Sequence, residues 1–358
     1  MSSVRRDKVS NHKDDNKAIP PPSGSPLSRT LQYWHALAGK VWVKRLLLVF
    51  MAVLLLAPPR LISSNYWVRI LDIAGLYAMM ALGYNLMFGY TGLFNLGFAA
   101  FFAIGAYCYA ILASPLHNMH LSFLIVLPLA VALASLVSYL LGIPSISLVG
   151  DYLGLVTLAF AEILRILVNN LKFTNSSYGI ISIDPISLPF FSFKTVRDYY
   201  YLILPLCVAV YFVIKRLEQS RIGRAWMAIR NDEEAARTSG LDTRGLKLLA
   251  CAIGVAPVGL AGAIFASMQT FVSPESFTSR ETWLIIAMAI VGGLGNADGA
   301  VLGAFLLTIL PEPLRGTPLE SARTLIYGLL LIFFSLFRPQ GLLPRRHRAE
   351  ESETEQRT

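Results

Sequence analysis

Charged residues are scarce in this chain. Asp, Glu, Lys and Arg make up 15% of its 358 residues, whereas hydrophobic residues make up 55%. In a soluble domain about a quarter of the residues are charged. The scarcity argues against a soluble enzyme or binding domain and favours a membrane protein.

Cysteine and histidine are few as well. Three cysteines, Cys108, Cys207 and Cys251, lie far apart in apolar segments, which excludes a disulfide framework and predicts buried thiols. The five histidines are scattered, and no Cys, Asp or Glu accompanies His117 and His120. We therefore predict no metal site.

Motifs for chemistry are missing from the sequence. It has no G-x-x-x-x-G-K-[ST] phosphate loop, no H-E-x-x-H and no G-x-S-x-G, the patterns that cradle phosphates, hold zinc or expose a nucleophilic serine. We predict that the chain is not an enzyme and binds no cofactor. If ATP drives its activity, another polypeptide must hydrolyse the ATP.

Long apolar runs are what the sequence does have. A spanning helix needs about 20 mostly apolar residues, and the runs are continuous rather than alternating, which favours helices over a barrel. The predicted fold is an all-α polytopic membrane protein with about ten transmembrane helices, some of them short or broken. The predicted spans are 42–60, 68–88, 93–113, 121–142, 151–169, 199–217, 248–270, 282–296, 299–314 and 322–337.

The basic residues indicate an orientation. The net charge is +9, and its position in the tails and one internal stretch favours anionic lipid over nucleic acid. The positive-inside rule places three regions in the cytoplasm: the N-terminal tail 1–40, the stretch 217–247 and the C-terminal tail 339–358. The transmembrane domain is then 41–338. An alternative with nine spans, in which 282–314 is one long broken helix, would put the C-terminal tail outside.

Two glycine-rich segments, 83–107 and 291–305, stand out within the spans. The second predicts a break between two half-helices. Such glycines mark either tight helix packing or a translocation pathway, and for the pathway we consider Gly292, Gly293 and Gly295. Asn85 and Asn95 flank a turn in the first segment, where interhelical hydrogen-bond donation or helix capping is expected.

Glu162 and Arg165 are ionisable residues inside a predicted span. Their spacing of three allows them to neutralise each other on one helix face. They are either a structural pair near the outer interface or part of a polar pathway for a zwitterionic solute.

The stretch "GRAWMAIRNDEEAARTSG" (223–240) interrupts the apolar runs with charges of both signs. It predicts a cytoplasmic helix-turn-helix in which Asn231 or Asp232 caps the second helix and Gly240 ends it. We expect Trp226 to be exposed there, on a surface that docks a soluble partner.

Several motifs of this chain resemble those of a known protein family. Glu234-Ala235-Ala236 with Gly240 resembles the EAA-x-x-x-G loop of ABC importer permeases. Together with "GDYLGLVTLAFAEILRIL" (150–167), "GGLGNADGAVLGAFLLTILPE" (292–312) and "RPQGLLP" (338–344), the chain is similar to LivM-type permeases of branched-chain amino acid ABC importers from about residue 70 to 344.

The resemblance implies a permease subunit in a bacterial inner membrane that translocates branched-chain or related amino acids by alternating access. Its partners would be a second, LivH-like permease, two ATP-binding subunits, a periplasmic binding protein and the lipid bilayer, with no nucleic acid. Alternatives are urea, amides or another small polar solute, or a secondary transporter. The ATPase-coupling residues would be Gly223, Arg224, Trp226, Ile229, Arg230, Glu233, Glu234, Ala235, Ala236 and Gly240.

The chain departs from the family pattern at one loop. Where such permeases have a glycine-rich TGG-x-x-G loop, the sequence reads "FTNSSYGI" (173–180), in which Thr174 and Gly179 correspond. In the predicted topology this loop faces outside, where a binding protein would dock. The departure bears on the exact solute and its binding protein.

Overall fold

The structure, a computed structural model, describes residues 64–115, 119–146, 151–188, 191–315, 323–337 and 340–343, all within one compact unit, Ala57–Thr358. The helices are α1 (Asn65–Tyr84), α2 (Phe98–Leu112), α3 (Phe123–Ser145), α4 (Asp151–Asn170), α5 (Val196–Glu218), α6 (Arg221–Asn231), α7 (Glu233–Thr238), α8 (Thr243–Gln269), α9 (Ser279–Gly292), α10 (Ala297–Ile309) and α11 (Arg323–Phe337).

The all-α prediction is confirmed. The strands in the described residues have two residues each: β1 (Ile180–Ile181) pairs antiparallel with β4 (Phe271–Val272), and β2 (Ser187–Leu188) with β3 (Phe191–Ser192). They lie in the loops that connect the helices. Helices therefore satisfy most of the backbone hydrogen bonds internally, as a chain surrounded by lipid requires.

Among the residues that the structure describes, five helical segments are long and apolar enough to cross a membrane. They are Asn65–Tyr90, Phe123–Ser145, Tyr152–Asn170, Val196–Glu218 and Thr243–Gln269, and α2 and α10 are shorter apolar helices. These segments, with α9 and α11, correspond to the predicted spans from 68–88 onward. The span 42–60 and the tail 1–40 lie outside the described residues, as does most of 339–358, so the count of ten stays a prediction.

Helix α8 packs closely against α2 through backbone contacts. A Cβ on Gly105 would lie 2.2 Å from the carbonyl oxygen of Gly259, and a Cβ on Gly262 would lie 2.2 Å from that of Phe102. Helices in lipid associate through such close packing because there is no hydrophobic drive between them. The small residues of 83–107 that face α8 are therefore packing residues.

Helices α9 and α10 form an antiparallel hairpin. A Cβ on Gly303 would meet the carbonyl oxygen of Met288 at 2.0 Å, and one on Gly292 would meet that of Gly299 at 2.1 Å. Residues near the end of α9 thus contact residues near the start of α10. The nine-span alternative, with 282–314 as one long helix, is wrong, and the predicted break is a hairpin turn rather than a junction between collinear half-helices.

Large hydrophobic side chains cover the outward faces of α3, α4, α5 and α11. Exposed examples are Ile125, Ile163, Phe212 and Leu336. An apolar surface this extensive is unfavourable in water and suits contact with lipid or with another membrane subunit.

Candidate functional site

Helix α6 begins the charged stretch between α5 and α8. The Ser220 hydroxyl accepts a hydrogen bond from the Gly223 N–H at 3.2 Å, which satisfies one of the unpaired N–H groups of the first turn. Gly223, Trp226 and Ile229 follow at intervals of three and are all buried. The predicted short helix is confirmed, with one apolar face turned toward the protein.

Trp226 lies on that buried face. It is 0% exposed, and its indole Nε1–H donates to the carbonyl oxygen of Leu246, at the start of α8, at 2.8 Å. The prediction that Trp226 is exposed is wrong. An indole has a single polar group, and once a carbonyl accepts its proton the rest of the ring gains from burial. Trp226 therefore anchors α6 to α8.

Helix α7 has the predicted caps. The Asp232 carboxylate accepts from the Ala235 N–H at 3.0 Å, so Asp232 rather than Asn231 is the N-cap. At the other end Gly240 has φ of +85°, and the Leu241 N–H donates to the Ala236 carbonyl at 3.2 Å. This is a Schellman ending, which needs a residue tolerant of positive φ.

The two glutamates that begin α7 point to different surroundings. Glu233 forms an ion pair of 2.5 Å with Lys247, whose side chain is only 9% exposed. Glu234 pairs with Arg237 at 2.8 Å, and both side chains are largely exposed, at 72% and 65%. Glu233 thus fixes α7 to α8, whereas Glu234 is presented outward.

We call six of the exposed residues of this region the coupling surface, after the ATPase-coupling role that the sequence predicts for the stretch. Arg224 is exposed on α6, where its guanidinium donates to the Gln219 carbonyl at 3.1 Å, whereas Ala236 is buried. The exposed, charged side of this region is therefore held in place by the buried side chains of Trp226 and Ile229. The coupling surface consists of Arg224, Glu234, Ala235, Arg237, Thr238 and Gly240.

Arg230 turns inward from α6. Its guanidinium donates to the carbonyl oxygen of Gly89, in a π-helical turn, Asn85–Tyr90, that ends the first long helix. Widened turns of this kind are rare, and they are frequent at functional sites. The sequence predicted Arg230 as an ATPase contact and gave no sign of Gly89.

Asn85 connects the same turn to the α9–α10 hairpin. Its side-chain oxygen accepts from the backbone N–H of Gly295 at 2.7 Å. A Cβ on Gly89 would lie 2.4 Å from that oxygen and 2.6 Å from the Gly295 nitrogen. Asn85 was predicted as an interhelical donor or a helix cap, and in this contact it is an acceptor, because the hairpin turn offers it an N–H group.

We call the set Arg230, Gly89, Asn85 and Gly295 the coupling junction. It joins α6, the π-helical turn and the hairpin turn by two hydrogen bonds and one close backbone contact. These contacts form a continuous physical connection between α6 and the hairpin turn.

Asn95 connects the same π-helical turn to the start of α2. Its side-chain oxygen accepts from the N–H of Gly97, the residue that precedes α2, at 2.7 Å. Its side-chain N–H donates to the Met87 sulfur at 3.9 Å. Asn95 is thus a donor to the π-helical turn as well as an acceptor at the start of α2.

Gly292, Gly293 and Gly295 are explained by turn geometry and packing. Gly293 and Gly295 have φ of +120° and +81°, and the Leu343 N–H donates to the Gly292 carbonyl at 3.1 Å. The segment 340–343 thus pairs with the hairpin turn. The contribution of Gly292, Gly293 and Gly295 to a translocation pathway stays a prediction.

The C-terminal end of α5 is tied to the same hairpin. Lys215 lies 3.3 Å from a carboxylate oxygen of Asp298 at the start of α10, and Tyr211 donates to the other oxygen. Sequence reasoning missed this link, since the residues are more than 80 positions apart. It places the end of α5, from which α6 follows, against the α10 half of the hairpin.

The predicted pair in α4 is formed. Arg165 Nε lies 2.9 Å from Glu162 Oε2, and the Ser279 hydroxyl at the start of α9 donates to Oε1 at 2.5 Å. Both charged side chains are partly exposed. The structural role is thus supported by contacts, and the pathway role stays a prediction.

Comparison with known proteins decides the family. Residues 66–335 match the family described as "Branched-chain amino acid transport system / permease component". The chain belongs to this family. It is therefore a permease component of a transport system, as the sequence motifs indicated.

Named relatives agree with this assignment. The permease is 38% identical over 333 residues, covering 86% of its length and 77% of the relative, to the high-affinity branched-chain amino acid transport system permease protein LivM of Escherichia coli K12. It is 27% identical to a probable LivM of Methanocaldococcus jannaschii, covering 76% of the chain and 91% of that relative. No solved structure matches the permease significantly.

The loop 173–180 of the permease keeps part of the pattern expected from the family. The buried Thr174 hydroxyl donates to the Val168 carbonyl at 2.6 Å, and the Asn175 side-chain N–H donates to the Gly179 carbonyl at 2.7 Å. The loop presents Tyr178, which is 83% exposed. Thr174 and Gly179 thus shape the loop, while Tyr178 lies free for contact.

Proposed function

We propose that this permease is the LivM-type membrane subunit of an ATP-driven importer that carries branched-chain amino acids into a bacterial cell across the inner membrane. Its ATPase docks on the coupling surface. The observation that carries the proposal is the small helix α7, which is charged and exposed outward yet fixed to α8 by the Lys247–Glu233 pair.

The anchoring explains why this surface suits a mechanical partner. A docking element must move as a unit with the helices that it drives, and the buried Trp226 hydrogen bond to Leu246 supplies that rigidity. Glu234 and Arg237 compensate each other on the exposed side and can exchange this pair for contacts across an interface at little cost.

The coupling junction connects a movement of α6 to the α9–α10 hairpin. When the ATPase subunits close on ATP, α6 shifts, Arg230 displaces the Gly89 carbonyl, and Asn85 carries the shift to Gly295. The α9–α10 hairpin then changes its position relative to α1. Alternating access needs such a two-state element on the membrane domain.

The distribution of basic residues and the contacts of segment 340–343 both support the proposed orientation of the permease in the membrane. Lys215, Arg221 and Arg224 lie near the coupling surface, and segment 340–343 contacts the hairpin turn beside the coupling junction. Both features support placing 217–247 and the C-terminal tail in the cytoplasm. The N-terminal tail belongs on the same side in the ten-span arrangement.

The partners proposed are a second, LivH-like permease, two ATP-binding subunits and a periplasmic binding protein. The apolar outward faces of the helices leave room for a second membrane subunit, and the exposed Tyr178 loop suits the binding protein. Because the loop reads "FTNSSYGI", a related importer for urea, amides or another small polar solute is the second candidate.

Co-purification with the neighbouring gene products tests the proposal. We expect an ATPase to accompany the tagged permease, and Glu234→Lys to weaken its retention while the permease still inserts. Glu275→Lys, which reverses an exposed charge in the loop before α9, is the matched control. Retention unchanged by Glu234→Lys would contradict docking on the coupling surface, and leucine uptake without any ATPase would favour a secondary transporter.

A further inference from the structure

A cavity of about 820 Å³ lies between α1, α9, α10 and α11. Its size falls in the range of small-molecule sites, about 300–1,000 Å³. It is separate from the coupling junction, since none of the four junction residues lines it. Its chemistry differs between its two ends.

The end nearest the start of α9 is charged. Arg280 and Glu281 are adjacent in the first turn and both line the cavity. The Tyr77 hydroxyl donates to Glu281 Oε2 at 2.6 Å, which fixes the carboxylate toward α1. A cation and an anion thus lie side by side where the hairpin begins, and a second carboxylate, Glu312, also lines the cavity. The hairpin turn with Gly295 lies at the other end of α9.

The deeper part of the cavity is apolar. Leu284, Ala287, Met288 and Leu331 line it. Along α9, Ser279 and Met288 are nine residues apart, a rise of about 13 Å, or nearly half of the roughly 30 Å hydrocarbon core. A ligand that fits both ends needs a charged head with both signs and a short apolar tail.

We propose that this cavity is the outer site that receives the amino acid on its way through the permease. The ammonium group lies against Glu281, the carboxylate against Arg280, and the branched side chain among the apolar residues of the deeper part. This inference rests on the proposed function, and it places the substrate within this subunit. Because the charged end is opposite the coupling junction, the site faces away from the ATPase.

Gly328 offers a way to fill the cavity without disturbing the fold. It lines the cavity, and a Cβ built on it meets no atom within 4 Å. Gly328→Leu and Gly328→Trp in the complete importer are expected to raise the KM for L-leucine uptake about tenfold or more, with a smaller rise for L-valine. Leu329→Trp, on an exposed neighbour that does not line the cavity, is the control and should behave as wild type.

Glu281 tests recognition of the charged head. Glu281→Gln keeps an acceptor for Tyr77 but removes the negative charge, so the KM for L-leucine uptake should rise about tenfold. A KM equal to that of wild type would contradict the assignment of Glu281 to the ammonium group.

Cysteine labelling separates a substrate site from a lipid-filled cleft. Cys108, Cys207 and Cys251 are buried, so background reaction with a membrane-impermeant methanethiosulfonate is low. Thr308→Cys places a thiol on the cavity wall, and Leu306→Cys places one on an exposed part of the same helix that does not line the cavity. L-leucine should slow labelling of Thr308→Cys at least fivefold and leave Leu306→Cys unchanged.

The outcomes distinguish this inference from the function on which it rests. If the wild-type complex imports leucine but leucine leaves Thr308→Cys labelling and the KM of Gly328→Trp unaltered, the cavity is not the site and the importer assignment stands. If the wild-type complex imports no amino acid under ATP, the proposed function fails and the site assignment falls with it.

Discussion

Arg230 donates a hydrogen bond to the backbone carbonyl of Gly89 across a sequence separation of 141 residues. The bond joins the helix that carries the coupling surface to a π-helical turn inside the membrane domain. A charged donor to a backbone carbonyl contributes about 1.5–3 kcal/mol. In the proposed importer, this bond is the first link between the ATPase and the transport helices.

Replacing this arginine should uncouple the importer. Arg230→Met keeps much of the side-chain length but loses the donor, so the ATPase should still bind while leucine transported per ATP hydrolysed falls about tenfold or more. Arg221→Met, which removes an exposed arginine from the same helix but outside the coupling surface, is the control. Proteoliposomes report both rates, and an unchanged transport-to-hydrolysis ratio in Arg230→Met would exclude the coupling junction as a transmission route.

The hydrogen bond from the Gly295 N–H to Asn85 should contribute measurably to the thermal stability of the permease. Asn85→Leu is close to isosteric and leaves the Gly295 N–H without its acceptor, a cost of about 1–3 kcal/mol. The thermal midpoint in detergent should fall by several degrees. Asn170→Leu, at the exposed end of α4, should leave the midpoint nearly unchanged, and equal effects of the two variants would show that the buried contact has no special weight.

The sequence predicted the helices well because their apolar runs and caps are local signals. Asp232 is the N-cap of α7, and Gly240 follows its C-terminal end with a positive φ, as these residue types favour. The burial of Trp226 was not predicted from the sequence, although Trp226 lies three residues from both Gly223 and Ile229. The surrounding charges indicated a surface position instead.

The coupling junction lay beyond reach from the sequence for a different reason. Asn85 and Gly295 are 210 residues apart, and neither their chemistry nor their spacing marks them as partners. The hairpin between α9 and α10 was likewise undetermined, because short apolar helices around a glycine turn fit either a collinear break or a reversal. Only packing, seen at Gly292 and Gly299, decides between the two.

Two glycines should respond in opposite ways to alanine. Gly240 has φ of +85°, so Gly240→Ala forces an L-residue into the left-handed region at a cost of about 1–2 kcal/mol. Gly328 lies inside α11 with open space around its Cβ position, so Gly328→Ala should stabilise the helix by about 0.5–1 kcal/mol. Thermal midpoints of the two variants should move to opposite sides of the wild-type value, and a shift of both in one direction would contradict the described geometry.

Trp226 should influence ATPase binding without touching the ATPase. Trp226→Ala leaves a cavity under α6, with a cost of about 3–5 kcal/mol, and loses the hydrogen bond to Leu246. We therefore expect lower retention of the ATPase and a lower thermal midpoint together. Trp226→Phe fills most of the space and should restore both. If Trp226 met the ATPase directly, Trp226→Ala would weaken retention while leaving the midpoint unchanged, and measuring both quantities on one preparation distinguishes the two cases.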